Sequence, residues 1–273
     1  MRYRVIALDL DGTLLDSQKR ILPESLHALA QARAAGIKVL LVTGRHHVAI
    51  RPFYQALQLD TPAICCNGTY LYDPLKQQVL AADPLAKPQA QQVLQLLERS
   101  AINGLMYVDD AMLYQQPTGH VTRTLNWASS LPAALRPILQ QVDSLHQAVE
   151  QVHTIWKFAI AHENLPALRQ FAQQVEAELG LSCEWSWHDQ IDIAKSGNSK
   201  GKRLREWVES QGLSMEQVIA FGDNYNDLSM LEAAGLGVAM GNADQAVKQR
   251  ADLVIADHQQ PGIAQLILQQ LAH

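Results

Sequence analysis

The segment Asp9-Leu10-Asp11-Gly12-Thr13 sets two carboxylates two residues apart, directly after the apolar run Tyr3-Arg4-Val5-Ile6-Ala7-Leu8. That run is short and bounded by polar residues, the pattern of a buried strand. Gly12 lets the chain turn away at once. In an open parallel sheet, ligands bind outside the carboxyl ends of the strands. An aspartate there is ionised at neutral pH and can attack an electrophile without a separate base. Oxygen ligands of this kind also suit a hard cation such as Mg2+. Taken alone, the stretch also reads as a solvated strand end with Asp and Gly as turn formers.

Three further polar groups fall at strand ends or helix starts. Thr43 follows the apolar run Ile37-Lys38-Val39-Leu40-Leu41-Val42, in Val42-Thr43-Gly44-Arg45. Lys200 stands in Asn198-Ser199-Lys200-Gly201, ahead of a helical pattern. Asp223, Asn226 and Asp227 follow the strand-like Val218-Ile219-Ala220-Phe221, in Gly222-Asp223-Asn224-Tyr225-Asn226-Asp227. Each has a bland reading as a cap, a turn residue or a solvated charge. All of them at the ends of one set of strands is a far more specific signal. Arg45, His46 and His47 follow Thr43 without a spacing that assigns them chemistry.

The elements that must position these groups alternate. A helix is expected over 23–35, with Pro23 in its first turn and Gly36 as its stop. A second helix is expected over 46–57, and a third strand over 62–66, ending in Asn67-Gly68-Thr69. Strand, helix, strand, helix, strand implies a parallel sheet with helices on both faces. The rhythm changes near Asp83. Helices are expected over 87–100, 118–128 and 165–179, a hairpin over 104–115, and strands over 154–160, 182–187 and 190–194. This is an α+β unit with an antiparallel sheet, and four of the five tryptophans fall within it. The first style returns at Asn198. The expected division is therefore a Rossmann-like three-layer α/β core over 1–83 and 190–273, with an α+β cap inserted over 84–189.

The totals fit that division. The chain has 273 residues, 48% of them hydrophobic, and a formal net charge of −5. Such a chain can bury a full core, and without a basic block or stripe nucleic acid is a poor partner. Cys65, Cys66 and Cys183 make neither a CxxC pair nor a disulfide frame, which suggests a reducing compartment. The N-terminus lacks the apolar region of a signal peptide, and no apolar run could span a bilayer. A cytoplasmic location is expected.

With DLDGT, VTGR, SKG and GDNYND in this order, the chain resembles the haloacid dehalogenase superfamily of phosphohydrolases over essentially its whole length. The inserted unit and the CNGTY segment resemble the Cof-like subfamily, most closely its bacterial phosphatases of pyridoxal phosphate. The resemblance implies a phosphomonoester hydrolase with Asp9 as nucleophile and an aspartyl-phosphate intermediate. Mg2+ would be held by Asp9, Asp223 and the main-chain carbonyl of Asp11. Asp11 would protonate the leaving alkoxide and then deprotonate water. Thr43 and Lys200 would hold the transferring phosphoryl group, with backbone N–H groups at Leu10 and Gly44 as further donors. Asn226 would position phosphate or orient Asp9 and metal-bound water. Asp227 would support the metal ligands, and Asn67 and Gly68 would touch substrate or cap. The implied substrates are pyridoxal 5'-phosphate and some sugar phosphates. The alternatives are a general sugar-phosphate phosphatase and, less favoured, a phosphotransferase or mutase.

The cap would select the leaving group. Its candidate contacts are Tyr107, Asp109, Trp156, Lys157, Trp185, Trp187, His188, Asp189 and Asp192, since a pyridine ring can stack on an aromatic face and bond to polar groups. The competing reading is that most of these tryptophans fill the cap's own core.

Overall fold

In the computed structural model, which describes residues 2–272, the first apolar run forms β1 (Val5–Leu8), buried at every position. It is followed by α1 (Pro23–Ala34), β2 (Lys38–Leu41), α2 (Arg51–Ala56), β3 (Ala63–Cys65), β4 (Tyr70–Asp73) and β5 (Gln78–Ala82). The middle of the chain forms α3 (Lys87–Arg99), β6 (Gly104–Val108), β7 (Ala111–Tyr114), α4 (His120–Ser130), β8 (Leu139–Gln141), α5 (Leu145–Gln151), β9 (Ile155–Ala161), α6 (Leu165–Leu179), β10 (Ser182–Trp187) and β11 (Gln190–Ala194). The last part forms α7 (Lys200–Ser210), β12 (Val218–Gly222), α8 (Leu228–Ala233), β13 (Leu236–Ala239), α9 (Gln245–Lys248), β14 (Leu253–Val254) and α10 (Gly262–Leu271).

The chain divides into two units. The first comprises Met1–Arg45, Pro52–Ala81 and Ser199–His273, the second His46–Arg51 and Ala82–Asn198. The end of the insertion expected at 189 therefore falls inside the second unit. The reason is pairing: β11 bonds antiparallel to both β9 and β10 and cannot be assigned to the core.

The first unit is built on a parallel five-stranded sheet in the order β14-β13-β12-β1-β2. Val5, Ala7, Val218 and Ala220 pack with Leu204 and Trp207 of α7 and Leu231 of α8. The alternate residues Ile6, Leu8, Ile219 and Phe221 are also buried, and α1 and α10 pack together. Burial on both faces is what produces uninterrupted apolar strands rather than alternating ones. The expected third strand differs. β3 pairs antiparallel with β4 in a separate three-stranded sheet, which the Val42–Ile64 bridge ties to the parallel one. The expected helix over 46–57 is also broken, into a 3-10 turn at His47–Ala49 and α2. His46 Nδ1 accepts from Val48 N–H and caps the turn, while Pro52 sits at the start of α2, where a missing N–H costs nothing.

The second unit has a six-stranded sheet in the order β10-β11-β9-β6-β7-β8. It is antiparallel except for β7 and β8, which run parallel. One face carries Met106, Val108, Phe158, Ile160, Ile191 and Ile193, packed with α3, α5 and α6 through Leu94, Val149 and Phe171. Among the described residues, no helix is long and apolar enough to cross a membrane.

Candidate active site

Every proposed core residue lies in the first unit, at the carboxyl ends of β1, β2 and β12, in the β3–β4 turn, or at the start of α7. Asp9 follows β1 and is 5% exposed; its N–H bonds to the Phe221 carbonyl of β12 at 3.1 Å. Gly12 turns the chain with a φ of +81°, and a Cβ there would stand 2.3 Å from Asp223 Oδ2. Only glycine lets the β1 loop come this close to Asp223. Thr13 Oγ1 then donates to Asp223 Oδ1 at 2.9 Å.

Lys200 is fully buried at the first turn of α7, whose start is capped by Ser199 Oγ accepting from Lys202 N–H. Its Nζ bonds Asp9 Oδ1 at 2.7 Å and Asp227 Oδ1 at 2.6 Å. Asp227 Oδ2 accepts from the N–H groups of Asp223 and Asn224 at 2.9 and 3.0 Å. Asp227 therefore shapes the loop that carries Asp223 and anchors Lys200 at the same time.

Asp9, Asp223 and Asp227 each offer an oxygen within 4.8 Å of the others. Burial drives the Asp9 carboxyl up to about 7; Lys200 opposes the rise, and Asp227 and Asp11 add to it. Burial, then Asp227 and Asp9, push Asp223 well above its ordinary value. Burial alone would lower Lys200, but Asp227 and Asp9 outweigh it and keep the ammonium charged. Three clustered carboxylates thus share one cation. A hard divalent cation would neutralise the excess, and the donor set is the all-oxygen type that Mg2+ takes. Asn226 adds a buried carbonyl oxygen with no hydrogen-bond partner among the described residues, while its Nδ2 donates to Asn67 Oδ1 at 3.1 Å. The residues fit such an ion.

The β2 end is equally constrained. Thr43 N–H bonds the Ile64 carbonyl, and Thr43 Oγ1 accepts from Arg45 N–H at 3.1 Å. Asn67 N–H bonds back to the Thr43 carbonyl at 3.0 Å. Cys66, Asn67 and Gly68 take φ values of +49°, +56° and +89° in succession. Left-handed backbone at a non-glycine residue is costly and is held only where the surroundings fix it. Here α7 does so: Arg203 Nε donates to the Gly68 carbonyl at 3.1 Å, and a Cβ on Gly68 would lie 2.1 Å from Ser199 O. Leu10 and Gly44 directly follow Asp9 and Thr43 at the two strand ends.

Two residues that bond Asp11 had no signal strong enough to assign from sequence. Arg45 Nε and Nη2 bond the two oxygens of Asp11 at 2.6 and 2.8 Å. Lys19 Nζ bonds Asp11 Oδ1 at 2.6 Å. Burial pushes the Asp11 carboxyl up, but Arg45 and then Lys19 more than reverse this and hold it well below the usual carboxylate range. In this arrangement Asp11 is an ionised acceptor, so protonating an alkoxide requires it to leave the clamp. The only hint in the sequence was that an anion site in a chain of net negative charge needs local cations.

The expected cap contacts divide. Asp109 is structural: its carboxylate accepts from His153 and Thr154 N–H at 2.9 Å each, and its carbonyl from Trp156 Nε1 at 3.1 Å. Trp185 packs against the hydrophobic core of the second unit, whereas Trp187 is 43% exposed, with the His188 ring beside it. Asp189 pairs with Arg123 at 3.3 Å. Lys157 and Asp192 form a buried ion pair at 2.6 Å, and Lys157 lies over the Tyr107 ring.

This geometry has close counterparts. Over 271 residues the chain is 63% identical to the pyridoxal phosphate phosphatase YbhA of Escherichia coli, covering 99% of this chain and all of that protein. It is 32% identical to the 5-amino-6-(5-phospho-D-ribitylamino)uracil phosphatase YitU of Bacillus subtilis, with 96% of each covered. A solved haloacid dehalogenase-like hydrolase from B. subtilis superposes with a TM-score of 0.86 at 26% identity, covering 97% of this chain and 99% of that one. Residues 6–267 match the haloacid dehalogenase-like hydrolase family. With its strand-end carboxylates, buried lysine and inserted α+β unit, the chain belongs to that family of hydrolases.

Proposed function

We propose that this chain is a Mg2+-dependent phosphomonoester hydrolase that dephosphorylates pyridoxal 5'-phosphate and some sugar phosphates through a phosphoaspartyl intermediate. The observation that carries the reading is the cluster of Asp9, Asp223 and Asp227 beside the buried ammonium of Lys200. It combines a nucleophile with a demand for positive charge. The 63% identity to a pyridoxal phosphate phosphatase over the whole chain supports the substrate.

The roles follow from the positions. Asp9 and Asp223, with the main-chain carbonyl of Asp11, would hold Mg2+, which when bound offsets phosphoryl charge. Lys200 holds Asp9 Oδ1, so the carboxylate is oriented before substrate arrives. One carboxylate oxygen attacks phosphorus, and the bond from phosphorus to the alcohol oxygen breaks. Asp11, protonated and freed from Arg45, supplies the proton to that oxygen. In the second step water attacks the phosphoaspartate, Asp11 takes its proton, and inorganic phosphate leaves with Asp9 regenerated. Thr43, the N–H groups of Leu10 and Gly44, and Asn226 bind the non-bridging oxygens. Asp227 holds Lys200 and the Asp223 loop, and Asn67 fixes Asn226.

The test is kcat/KM for pyridoxal phosphate and for a panel of hexose and tetrose phosphates, each with Mg2+ and with chelator. A preference for pyridoxal phosphate that disappears on chelation supports the reading. Equal values across the panel would make the enzyme a general sugar-phosphate phosphatase. Product formation only with a sugar acceptor would make it a phosphotransferase.

A further inference from the structure

The turn Cys66–Gly68 joins every part of the first unit that carries a phosphate-binding candidate. Cys66 N–H bonds the Arg45 carbonyl and Asn67 N–H the Thr43 carbonyl, both at 3.0 Å, beyond the end of β2. Asn67 Oδ1 accepts from Asn226 Nδ2 at 3.1 Å, in the loop after β12. Gly68 abuts the start of α7, where a Cβ would stand 2.1 Å from Ser199 O and 3.1 Å from Lys200 N. A shift of this turn would therefore move Asn226 relative to both Thr43 and Lys200. The turn is also costly to hold, since Cys66 and Asn67 carry side chains on left-handed backbone.

Arg203 is the charged group that grips it. Its Nε donates to the Gly68 carbonyl at 3.1 Å, and its Nη2 lies 3.5 Å from the Thr69 carbonyl. Its Nη1 donates to Glu206 Oε2 at 2.7 Å. The residue is buried, and a buried guanidinium is unfavourable unless it is paired and bonded. Three nitrogens with three separate partners fix the plane of the group, which an ammonium could not do. Arg203 lies three residues after Lys200, so both project from one face of α7. Lys200 reaches Asp9 and Asp227, while Arg203 reaches the turn. One helix thus sets the nucleophile and the turn in the same frame. Asn226 Nδ2 carries two hydrogens, so one remains for a phosphoryl oxygen after the bond to Asn67.

We propose that Arg203 is a positioning residue for phosphate binding: it holds the Cys66–Gly68 turn and, through Asn67, sets the amide of Asn226. The assignment rests on the reading of Asn226 as a phosphate ligand and adds the residue that fixes its orientation. Asn67, Gly68 and Asn226 were among the residues that the sequence pointed to; Arg203 was not.

The experiment measures inhibition by inorganic phosphate at saturating Mg2+, with kcat, KM for pyridoxal phosphate and a melting curve for each protein. The proteins are the wild type, Arg203→Met, Arg203→Lys, Asn67→Gly, Asn226→Ala and the double variant of Arg203→Met with Asn67→Gly. Glycine at 67 removes the amide and still accepts the left-handed backbone. The inhibition constant does not depend on how much of the enzyme is folded. A merely structural loss would lower kcat and the melting temperature and leave that constant unchanged. The expected result is that Arg203→Met raises the constant roughly twofold to thirtyfold, the span for a residue acting through packed neighbours. Asn67→Gly should do the same, and the double variant should bind phosphate no more weakly than the weaker single one, because both act through one turn. Arg203→Lys, which keeps the charge but not the planar fork, should fall between. A wild-type constant in Arg203→Met, or effects that multiply in the double variant, overturns the assignment while leaving the phosphatase reading intact. If Arg203→Met fails to fold, Arg203→Lys decides: a wild-type constant overturns the assignment, and a raised one supports it. An Asn226→Ala variant inhibited as strongly as wild type overturns the phosphate role of Asn226 itself, and the assignment with it.

Discussion

Arg45 grips both oxygens of Asp11, through Nε at 2.6 Å and Nη2 at 2.8 Å. A two-point guanidinium contact fixes the plane of a carboxylate as well as its charge. Lys19 adds a third bond to the same group. Asp11 is thereby aimed but held ionised, so the acid role proposed for it requires its release.

Replacing Arg45 by Met should therefore let Asp11 stay protonated to higher pH and change turnover in a way that depends on the leaving group. General acid help is worth about 10²–10⁴-fold when the leaving oxygen needs a proton. The pH profile for an alkyl phosphate should move upward, and that for p-nitrophenyl phosphate, whose leaving group needs no proton, much less. Equal changes for both esters would show that Arg45 acts on phosphate binding instead.

Asp9→Asn should reduce hydrolysis of every substrate by roughly 10⁴–10⁶-fold, the scale of nucleophile removal in other hydrolases. The measurement is steady-state turnover together with trapping of a phosphorylated protein. Residual activity near wild type would remove Asp9 from its role.

The carboxylate cluster should make stability depend on the cation. A ligand that binds only the folded state at a hundred times its Kd adds about 2.7 kcal/mol. Thermal unfolding should shift upward with Mg2+ in the wild type and lose most of that shift in Asp223→Asn. The readout is the melting temperature, so it does not depend on catalysis.

Asp227→Ala should destabilise the first unit by about 1–3 kcal/mol, the cost of leaving buried donors without an acceptor, while Lys200 keeps Asp9 as its partner. The Asp223 and Asn224 N–H groups lose their acceptor in the same substitution. Denaturant unfolding measures this directly. Asp227→Asn, which keeps an acceptor oxygen, should be milder.

Acidification should weaken the second unit. Burial is the leading cause that holds His46 and His47 at about 3 and His120 at about 4, against an ordinary value of 6.5. A group with a depressed folded value binds more protons when unfolded, so it contributes stability above about 6.5 and loses it as the pH falls toward the folded value. Each tenfold loss of proton affinity on folding corresponds to about 1.4 kcal/mol, so three such groups amount to several kcal/mol across this window. The midpoint of urea unfolding should fall between pH 6.5 and 4, and His46→Gln should flatten the slope.

The strand-end motifs were legible because each follows a short apolar run that a parallel sheet buries on both faces. The helices over 87–99, 165–179 and 200–210 were legible for the same kind of reason, through periodicity and caps. The β4–β5 hairpin was not expected. Tyr70, Leu71 and Tyr72 are buried, but Gln78, Val79 and Leu80 are exposed although Val79 and Leu80 are apolar, so the second strand shows neither a buried run nor an alternation of apolar and polar residues. The helix over 46–57 failed because His46 turns inward to bond Val108 O at 2.8 Å, a tertiary contact that no local pattern encodes. Arg45 and Lys19 were missed on similar grounds. They are 34 and 8 residues from Asp11, and only folding makes them its neighbours. The bond from Arg203 to the Gly68 carbonyl, 135 residues away in the chain, is likewise a property of the packed state.

The pairing of β1 with β12 has a consequence for how the protein is made. β1 begins at Val5, yet its partner begins at Val218. Closing so long a loop early is entropically expensive, and non-local pairings of this kind form slowly. The strands of the second unit lie between residues 104 and 194 and are complete well before β12 leaves the ribosome. Domains tend to fold as units in the order of synthesis. The inserted unit is therefore positioned to fold first, while Asp9 waits on an unpaired strand for Lys200, Asp223 and Asp227. Lys200, Asp223 and Asp227 arrive only after the inserted unit, so a chain released before them would carry Asp9 without the groups that surround it.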